Sequence, residues 1–234
     1  MCSSDLVDAD AIRAGAMTRQ RTLEFSKEIG ARCPLIHAAL AHVGHRQTRN
    51  RGTLGGSLCH LDPSAELVNV AALLNATLHA ASSRGRRDIA FNDFAVGYMT
   101  TALAPDELLT GVTLPLPDKR CGHAFVEFAR RHGDFATVAC SALLRLDAKG
   151  AIAEARLAIS GLAPAPLRPT AIEQALTGQA PTVETFKAAA AAAEKFEAAA
   201  DAYVTAAYRQ HLARVLVMRA LGEAATRAQA LAHD

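Results

Sequence analysis

The chain has 234 residues, 50% apolar and 21% charged, which is the make-up of an ordered globular protein with room for one large domain or two small ones. A formal net charge of +2 gives no electrostatic ground for a nucleic-acid partner. The five cysteines (Cys2, Cys33, Cys59, Cys121, Cys140) are scattered and odd in number, with no C-x-x-C pair. That argues against a disulfide framework, a zinc site or an iron–sulfur cluster in this chain, and it fits a reducing cytoplasm.

No apolar run is long enough to span a bilayer. The opening Met-Cys-Ser-Ser-Asp-Leu lacks the basic and apolar regions of a signal peptide, and residues 1–7 read as a non-native scar or disordered lead-in. Residues 11–17 form a short, weakly apolar run of strand type. Thr18 is expected to cap a helix carrying Leu23 and Phe25. Pro34 opens a second helix, with Leu35, Ile36, Ala39, Leu40 and Val43 at helical spacing and Gly44 at its end. Residues 45–58 show no apolar periodicity and read as a loop. Asp62 and Pro63 then have the form of an N-cap and first residue, opening a helix that buries Leu67, Val70, Ala71 and Leu74.

Residues 76–81 and 86–91 read as two strands around a turn at 82–85. Asn92-Asp93 starts a short helix, and 107–114 is a strand ended by Pro115 and Pro117. These prolines, with Asp118 and Lys119, mark a domain boundary. Beyond it, 123–130, 137–147 and 151–160 read as strands, the last two joined by the tight turn Ala148-Lys149-Gly150 as an antiparallel hairpin. In the third, Ala153, Ala155, Leu157 and Ile159 share a face opposite Glu154 and Arg156. After a Pro-rich connector at 161–169, residues 182–199 and 201–221 read as helices. Val204, Tyr208, His211/Leu212, Val215 and Met218 form the apolar stripe of the second. The fold class is α+β: a mixed lobe over 8–117, a three-stranded antiparallel sheet with a C-terminal helical bundle over 118–224, and a tail at 225–234.

The most informative segment is Arg49-Asn50-Arg51-Gly52-Thr53-Leu54-Gly55-Gly56-Ser57-Leu58. Glycine allows positive φ and close ligand approach, and successive N–H groups in such a turn can converge on an anion. Thr53 and Ser57 add hydroxyls, and Arg49 and Arg51 add positive potential. The pattern suits a pyrophosphate, and it equally suits a turn that merely joins two elements, because it is neither a G-x-G-x-x-G nor a Walker loop.

Other residues invite chemistry less well. His37, His42 and His45 do not share one helical face with a carboxylate, so no metal site is assigned. Cys59 reads as a small buried hydrophobe and Asp134 as a turn former. The basic stretch 45–51 lacks the interleaved aromatics of a nucleic-acid surface. No side chain is an evident acid, base or nucleophile, so no catalytic residue is assigned.

The 49–58 segment resembles the R-N-x-G-T-x-G-G-[NS]-L loop of the flavoprotein subunit of molybdenum hydroxylases. The family's next helix is matched by Asp62-Pro63-Ser64-Ala65-Glu66-Leu67, and its D-E-[IL]-[IL] strand by Asp106-Glu107-Leu108-Leu109 with Pro115. Arg130-Arg131-His132-Gly133-Asp134-Phe135-Ala136 resembles the R-x-x-G-D-[WYF]-A segment. Ala155-Arg156-Leu157-Ala158-Ile159, Pro166-Leu167-Arg168-Pro169 and Tyr208-Arg209-Gln210-His211-Leu212 with Arg219-Ala220-Leu221 complete the series. The likeness runs from about residue 11 to 224. On it, the chain resembles the FAD-binding (medium) subunit of the carbon monoxide dehydrogenase and xanthine dehydrogenase type.

That resemblance implies the second lobe of a vanillyl-alcohol-oxidase-type FAD domain, followed by the flavoprotein C-terminal domain. Thr53, Leu54, Gly55, Gly56 and Ser57 would contact the pyrophosphate and ribityl region, with Asn50 shaping the loop. Glu66 stands near the ribityl chain in this reading, or is simply a first-turn acid favoured by the helix dipole. Leu108 and Leu109 would lie against the isoalloxazine, or are plain core. The family's first Gly-rich loop, A-G-G-[TQ]-[SDE], is not found, so this chain is expected to be an N-terminal truncation that binds FAD weakly or not at all. A lysine common before the R-x-x-G-D segment is also unmatched, with Val126 and Glu127 in its place. The implied partners are a molybdopterin-binding large subunit and a [2Fe–2S] small subunit, assembled as a dimer of heterotrimers in the cytoplasm. The alternative is a truncated, non-catalytic interaction module that does not retain FAD.

Overall fold

The computed structural model describes residues 6–232. Strand β1 (Leu6–Val7) pairs with β2 (Ala11–Gly15), closed by the Asp8 N–H donating to Ala11 O at 2.8 Å. Of the expected lead-in 1–7, residues 1–5 lie outside the described residues, whereas Leu6 and Val7 belong to a sheet. Six helices follow: α1 (Gln20–Phe25), α2 (Lys27–Arg32), α3 (Pro34–Leu40), α4 (Arg46–Arg51), α5 (Leu54–His60) and α6 (Glu66–Leu73). The hairpin β3 (Thr77–Ser82) and β4 (Gly85–Ala90) leads to α7 (Phe91–Phe94), to the small ribbon β5 (Ala95–Gly97) and β6 (Thr100–Thr101), and to β7 (Leu108–Pro115). The first sheet is antiparallel throughout, in the order β1-β2-β7-β3-β4.

Three sequence expectations fail in this region. The N-cap of α1 is Arg19, not Thr18, and it makes no side-chain cap bond; Thr18 is buried and its carbonyl accepts the Leu54 N–H. The stretch expected as a loop forms α4 and α5. Helix α4 buries no residue and α5 buries only Leu54, Gly55 and Leu58, so neither leaves an apolar period to read. Asp62 instead closes a turn by accepting the Ser64 N–H at 2.8 Å, and α6 begins at Glu66 behind Ala65.

All eight residues of α6 are buried, not one face. The helix packs on α3 and α5 at one side and on a second sheet at the other, which is why it is apolar on both sides apart from Glu66 and Asn69. That sheet comprises β8 (Gly122–Phe128), β9 (Val138–Leu146) and β10 (Ile152–Ser160), in the order β10-β9-β8 with antiparallel pairing. Its far face is covered by α8 (Thr170–Leu176), α9 (Val183–Ala193) and α10 (Ala206–Ala232). Because β9 is buried on both faces, Val138 to Leu144 is a continuous buried run with no alternation. Phe125, Ala139, Leu143 and Ala158 join the core of the first lobe, while Ala124, Cys140, Ala142 and Leu157 join the helices.

Helix α10 is 27 residues, about 40 Å long. Its buried stripe is Leu212, Ala213, Leu216, Val217, Ala220, Leu221, Ala224, Ala225 and Ala228, one position round from the expected one. Tyr208 is 43% exposed and Val215 and Met218 only half-buried. Alanines set this contact: β8 and α10 approach so closely at Gly122 that small residues alone fit. The helix continues through Ala232, so 225–232 is not a tail, and Ala228 is core.

Two polar residues, the buried Asn69 and the half-buried Arg168, staple the lobes. Asn69 on α6 donates from Nδ2 to Ser160 Oγ (2.8 Å) and Ala158 O (3.2 Å), and accepts from Ser141 Oγ. Arg168 donates from Nη1 to Ala72 O, Leu73 O and Asn75 Oδ1 at 2.9–3.0 Å, satisfying carbonyls at the end of α6, while Nε and Nη2 hold Glu173. Arg168→Ala is expected to lower stability by about 3 kcal/mol in a urea titration, because it strips the guanidinium from the end of α6 and leaves the Glu173 carboxylate, in a site 11–13% exposed, with the Leu157 N–H but no cation.

Candidate functional site

The Gly-rich segment is built as a strand-to-helix turn. Thr53 forms an isolated bridge with Arg19, and its Oγ1 caps α5 by accepting the Gly56 N–H at 3.0 Å. The Leu54 N–H donates to Thr18 O (2.9 Å), the Gly55 N–H to Ala16 O (2.8 Å) and the Ser57 N–H to Thr53 O (3.1 Å). This corrects the expectation that the amides around Gly55 and Gly56 converge, open, on a diphosphate: the segment after β2 already occupies those of Leu54 and Gly55. Gly55 serves packing, since a Cβ there would lie 2.6 Å from Ala16 Cβ and 2.7 Å from Ala16 O. Gly56 is exposed, and the nearest atom to a Cβ there is the capping Thr53 Oγ1 itself, at 2.8 Å.

Arg49 does not face a ligand. Its Nε and Nη2 hold Glu24 at 3.0 and 3.1 Å, and its Nη1 donates to Val43 O and Gly44 O. The guanidinium keeps the Glu24 carboxyl below its ordinary range. Arg49, not the exposed Asn50, fixes the approach to α4. The D-E-L-L acids are likewise structural: Arg84 pairs with Asp106 and Arg87 with Glu107, whose other contact, the Ala104 N–H, helps hold its carboxyl down to about 2.

What remains on the surface is one open side of a site. Thr53 and Ser57 are half-buried and Gly56 exposed at the start of α5. Met17, between the two carbonyls that dock α5, is 71% exposed. Leu108, on the β7 strand that packs against α5, is 73% exposed, so it is not core; Leu109 is half-buried against the first core. Gln20 Oε1 is buried without a partner, and a Cβ at Gly52 would lie 2.6 Å from it. Met17 and Leu108 thus expose apolar surface near the start of α5, where Gly56 carries no side chain.

Downstream of α5, Asp62 and Ser64 line a cleft of about 690 Å³ with Tyr98, Phe135, Tyr203 and Arg209. Arg130 lies over the Tyr203 ring at 5.2 Å. Asp134, as expected, sits in a turn, with its N–H donating to Arg131 O. Cys59 is half-buried and burial pushes its thiol up, away from reactivity. Among the described residues no group of three His, Cys, Asp or Glu is placed to hold a metal, and no helix is long and apolar enough to cross a membrane.

Glu66 opens α6 and is 4% exposed. Burial pushes its carboxyl up to about 7, aided by Glu127 and Asp62 and opposed by its own backbone N–H and His42. A carboxyl whose folded value exceeds its unfolded one binds more protons in the native state, so its contribution to stability falls as pH rises from 4.5 towards 7. Glu66→Gln is therefore expected to stabilise the chain at pH 7.5 by about 1–3 kcal/mol and to leave it unchanged at pH 4, as read by chemical denaturation at both values.

An antiparallel sheet with a glycine turn at a helix start is thus joined through a buried helix to a second antiparallel sheet, a two-lobed α+β scaffold. Two family models match in order: the FAD binding domain in molybdopterin dehydrogenase over residues 6–117, and the CO dehydrogenase flavoprotein C-terminal domain over 123–224. The chain is 35% identical to the 6-hydroxypseudooxynicotine dehydrogenase complex subunit alpha of Paenarthrobacter nicotinovorans, over 93% of this chain and 74% of that protein. It is 32% identical to the carbon monoxide dehydrogenase medium chain of Afipia carboxidovorans, over 92% and 75%. The solved structure of quinoline 2-oxidoreductase from Pseudomonas putida 86 superposes with a TM-score of 0.90 at 33% identity, covering 95% of this chain and 78% of the other. The chain belongs to the FAD-binding medium subunits of the molybdenum hydroxylases of the carbon monoxide dehydrogenase and xanthine dehydrogenase type.

Proposed function

We propose that the chain is the flavin-binding electron-transfer subunit of a multi-subunit molybdenum hydroxylase in the cytoplasm. A molybdopterin-binding large subunit and a [2Fe–2S] small subunit complete a dimer of heterotrimers. The observation that carries this reading is the occurrence of both matched regions, in family order, along one chain that superposes on such subunits over nearly its whole length.

When bound, FAD supplies the exchange of electrons between the clusters and an external acceptor. The chain's part is to bind and orient. Thr53 and Ser57 offer hydroxyls to the pyrophosphate, and Gly56 permits close approach. Leu108, Leu109 and Met17 give apolar surface for the ring, and Glu66 stands at the ribityl side. Because the Leu54 and Gly55 amides have internal partners, this chain alone grips the phosphates weakly; each absent charge-assisted hydrogen bond is worth about 1.5–3 kcal/mol. The same two amides favour a second reading, in which the chain docks its partner subunits without retaining FAD.

Co-expression with a large and a small subunit of this family separates the readings. Co-elution of three chains with flavin absorbance supports the first. Co-elution without flavin supports the second, and no association contradicts both.

A further inference from the structure

Helix α3 packs on both α6 and β8, and three titratable side chains come from these elements or the residues just after them. His42 follows α3, Glu127 lies on β8 and Glu66 opens α6. His42 Nδ1 is 3.1 Å from Glu127 Oε1, and the His42 ring tilts against Phe125 at 5.5 Å. The Glu127 side chain is 5% exposed and its other oxygen, Oε2, is buried with no hydrogen-bond partner. Two acids and an imidazole in one buried place are costly if every group is charged and unpaired, so the set must hold a proton. Only His42, at 33% side-chain exposure, reaches water.

We propose that His42, Glu127 and Glu66 form a proton-holding set in which the proton shared by the His42–Glu127 pair, taken up from solvent at His42, is coupled to a second one on Glu66, beside the ribityl side of the flavin site. This rests on the flavin reading only for what the set stands next to. The proton passes from water to the His42 ring and is shared with the Glu127 carboxylate. Glu66 stays neutral while the His42–Glu127 pair is charged. Loss of that proton leaves one net negative charge on the set. The groups acting on it are few: Glu127 and Glu66 act on His42, and Glu127, His42 and Asp62 act on Glu66. Glu127 holds the imidazole proton above its ordinary range, and burial does the same for the Glu66 carboxyl. Such a set lets the chain balance a charge change in a neighbouring cofactor without exposing it to bulk water.

The test is a pH titration of the histidine ring signals by NMR, with the 234-residue chain and with Glu66→Gln and Glu127→Gln. His42 is expected to titrate in two coupled steps. Glu66→Gln should reduce them to one, and Glu127→Gln should lower the His42 midpoint by about one pH unit or more, a tenfold loss of proton affinity. A dispersed amide spectrum for each variant reports that it folds. A His42 curve unaltered by both substitutions overturns the proposal. Repeating the titration with millimolar FAD addresses the flavin reading separately: a shifted Glu66-dependent step supports it, and an unshifted step removes the flavin from this place while the shared proton stands.

Discussion

Gly122→Ala is expected to detach the last helix from the second sheet. A Cβ at Gly122 would lie 2.0 Å from Ala224 O and 2.4 Å from Ala228 N. Both are backbone atoms in the middle of α10, so no side chain can swing aside. The helix would have to retreat along the length that carries Ala220, Leu221, Ala224 and Ala228, opening the second core. Overpacking at a site that cannot relax costs more than about 3 kcal/mol, roughly 10 °C in melting temperature for a chain of this size. Gly222→Ala is the control. It lies on the same helix with nothing within 4 Å, and alanine there should add about 0.5–1 kcal/mol. Calorimetry of the two variants gives opposite signs if the β8–α10 approach is as close as described; a Gly122→Ala chain that melts within 2 °C or so of the parent contradicts it.

Asn69→Leu is expected to cost about 3–5 kcal/mol, though the swap is nearly isosteric and apolar. The residue is fully buried, and its amide is the shared partner of Ser141 Oγ on β9 and of Ser160 Oγ and Ala158 O on β10. Leucine leaves these groups dry and unpaired. The loss should fall in part when Ser141→Ala is added, since one orphaned hydroxyl is then removed. Guanidinium denaturation of the single and double variants measures both. An Asn69→Leu change of less than about 1 kcal/mol would show that water reaches this seam.

The sequence reveals strands better than helices here, for a physical reason. The hairpins at 77–90 and 138–160 keep their turn residues and β-forming runs, and their limits fall within two residues of expectation. Helices α4 and α5 bury too little to leave a period, whereas α6 is legible as a helix but not as one buried on every side. The stripe of α10 was displaced because its contact is made by alanines, which carry little weight next to Tyr208 and Met218.

The site was legible as a motif more than as chemistry. Gly56 is exposed at the start of α5, as are Met17 and, on the strand that packs against α5, Leu108. Yet Arg49, Glu107, Arg168 and Arg209 within the family motifs act here as staples, tied to Glu24, Arg87, Glu173 and Asp201. The His42–Glu127 pair joins positions 85 apart in the chain, and no local pattern announces it.

The most direct measurement is an amide-shift map of the chain titrated with FAD to millimolar concentration. A one-sided flavin site predicts changes gathered at Thr53, Gly56 and Ser57 and on β7 around Leu108, with a dissociation constant weaker than about 1 μM. Shifts confined to other surfaces, or none at saturating dinucleotide, would contradict the placement of the flavin at the start of α5.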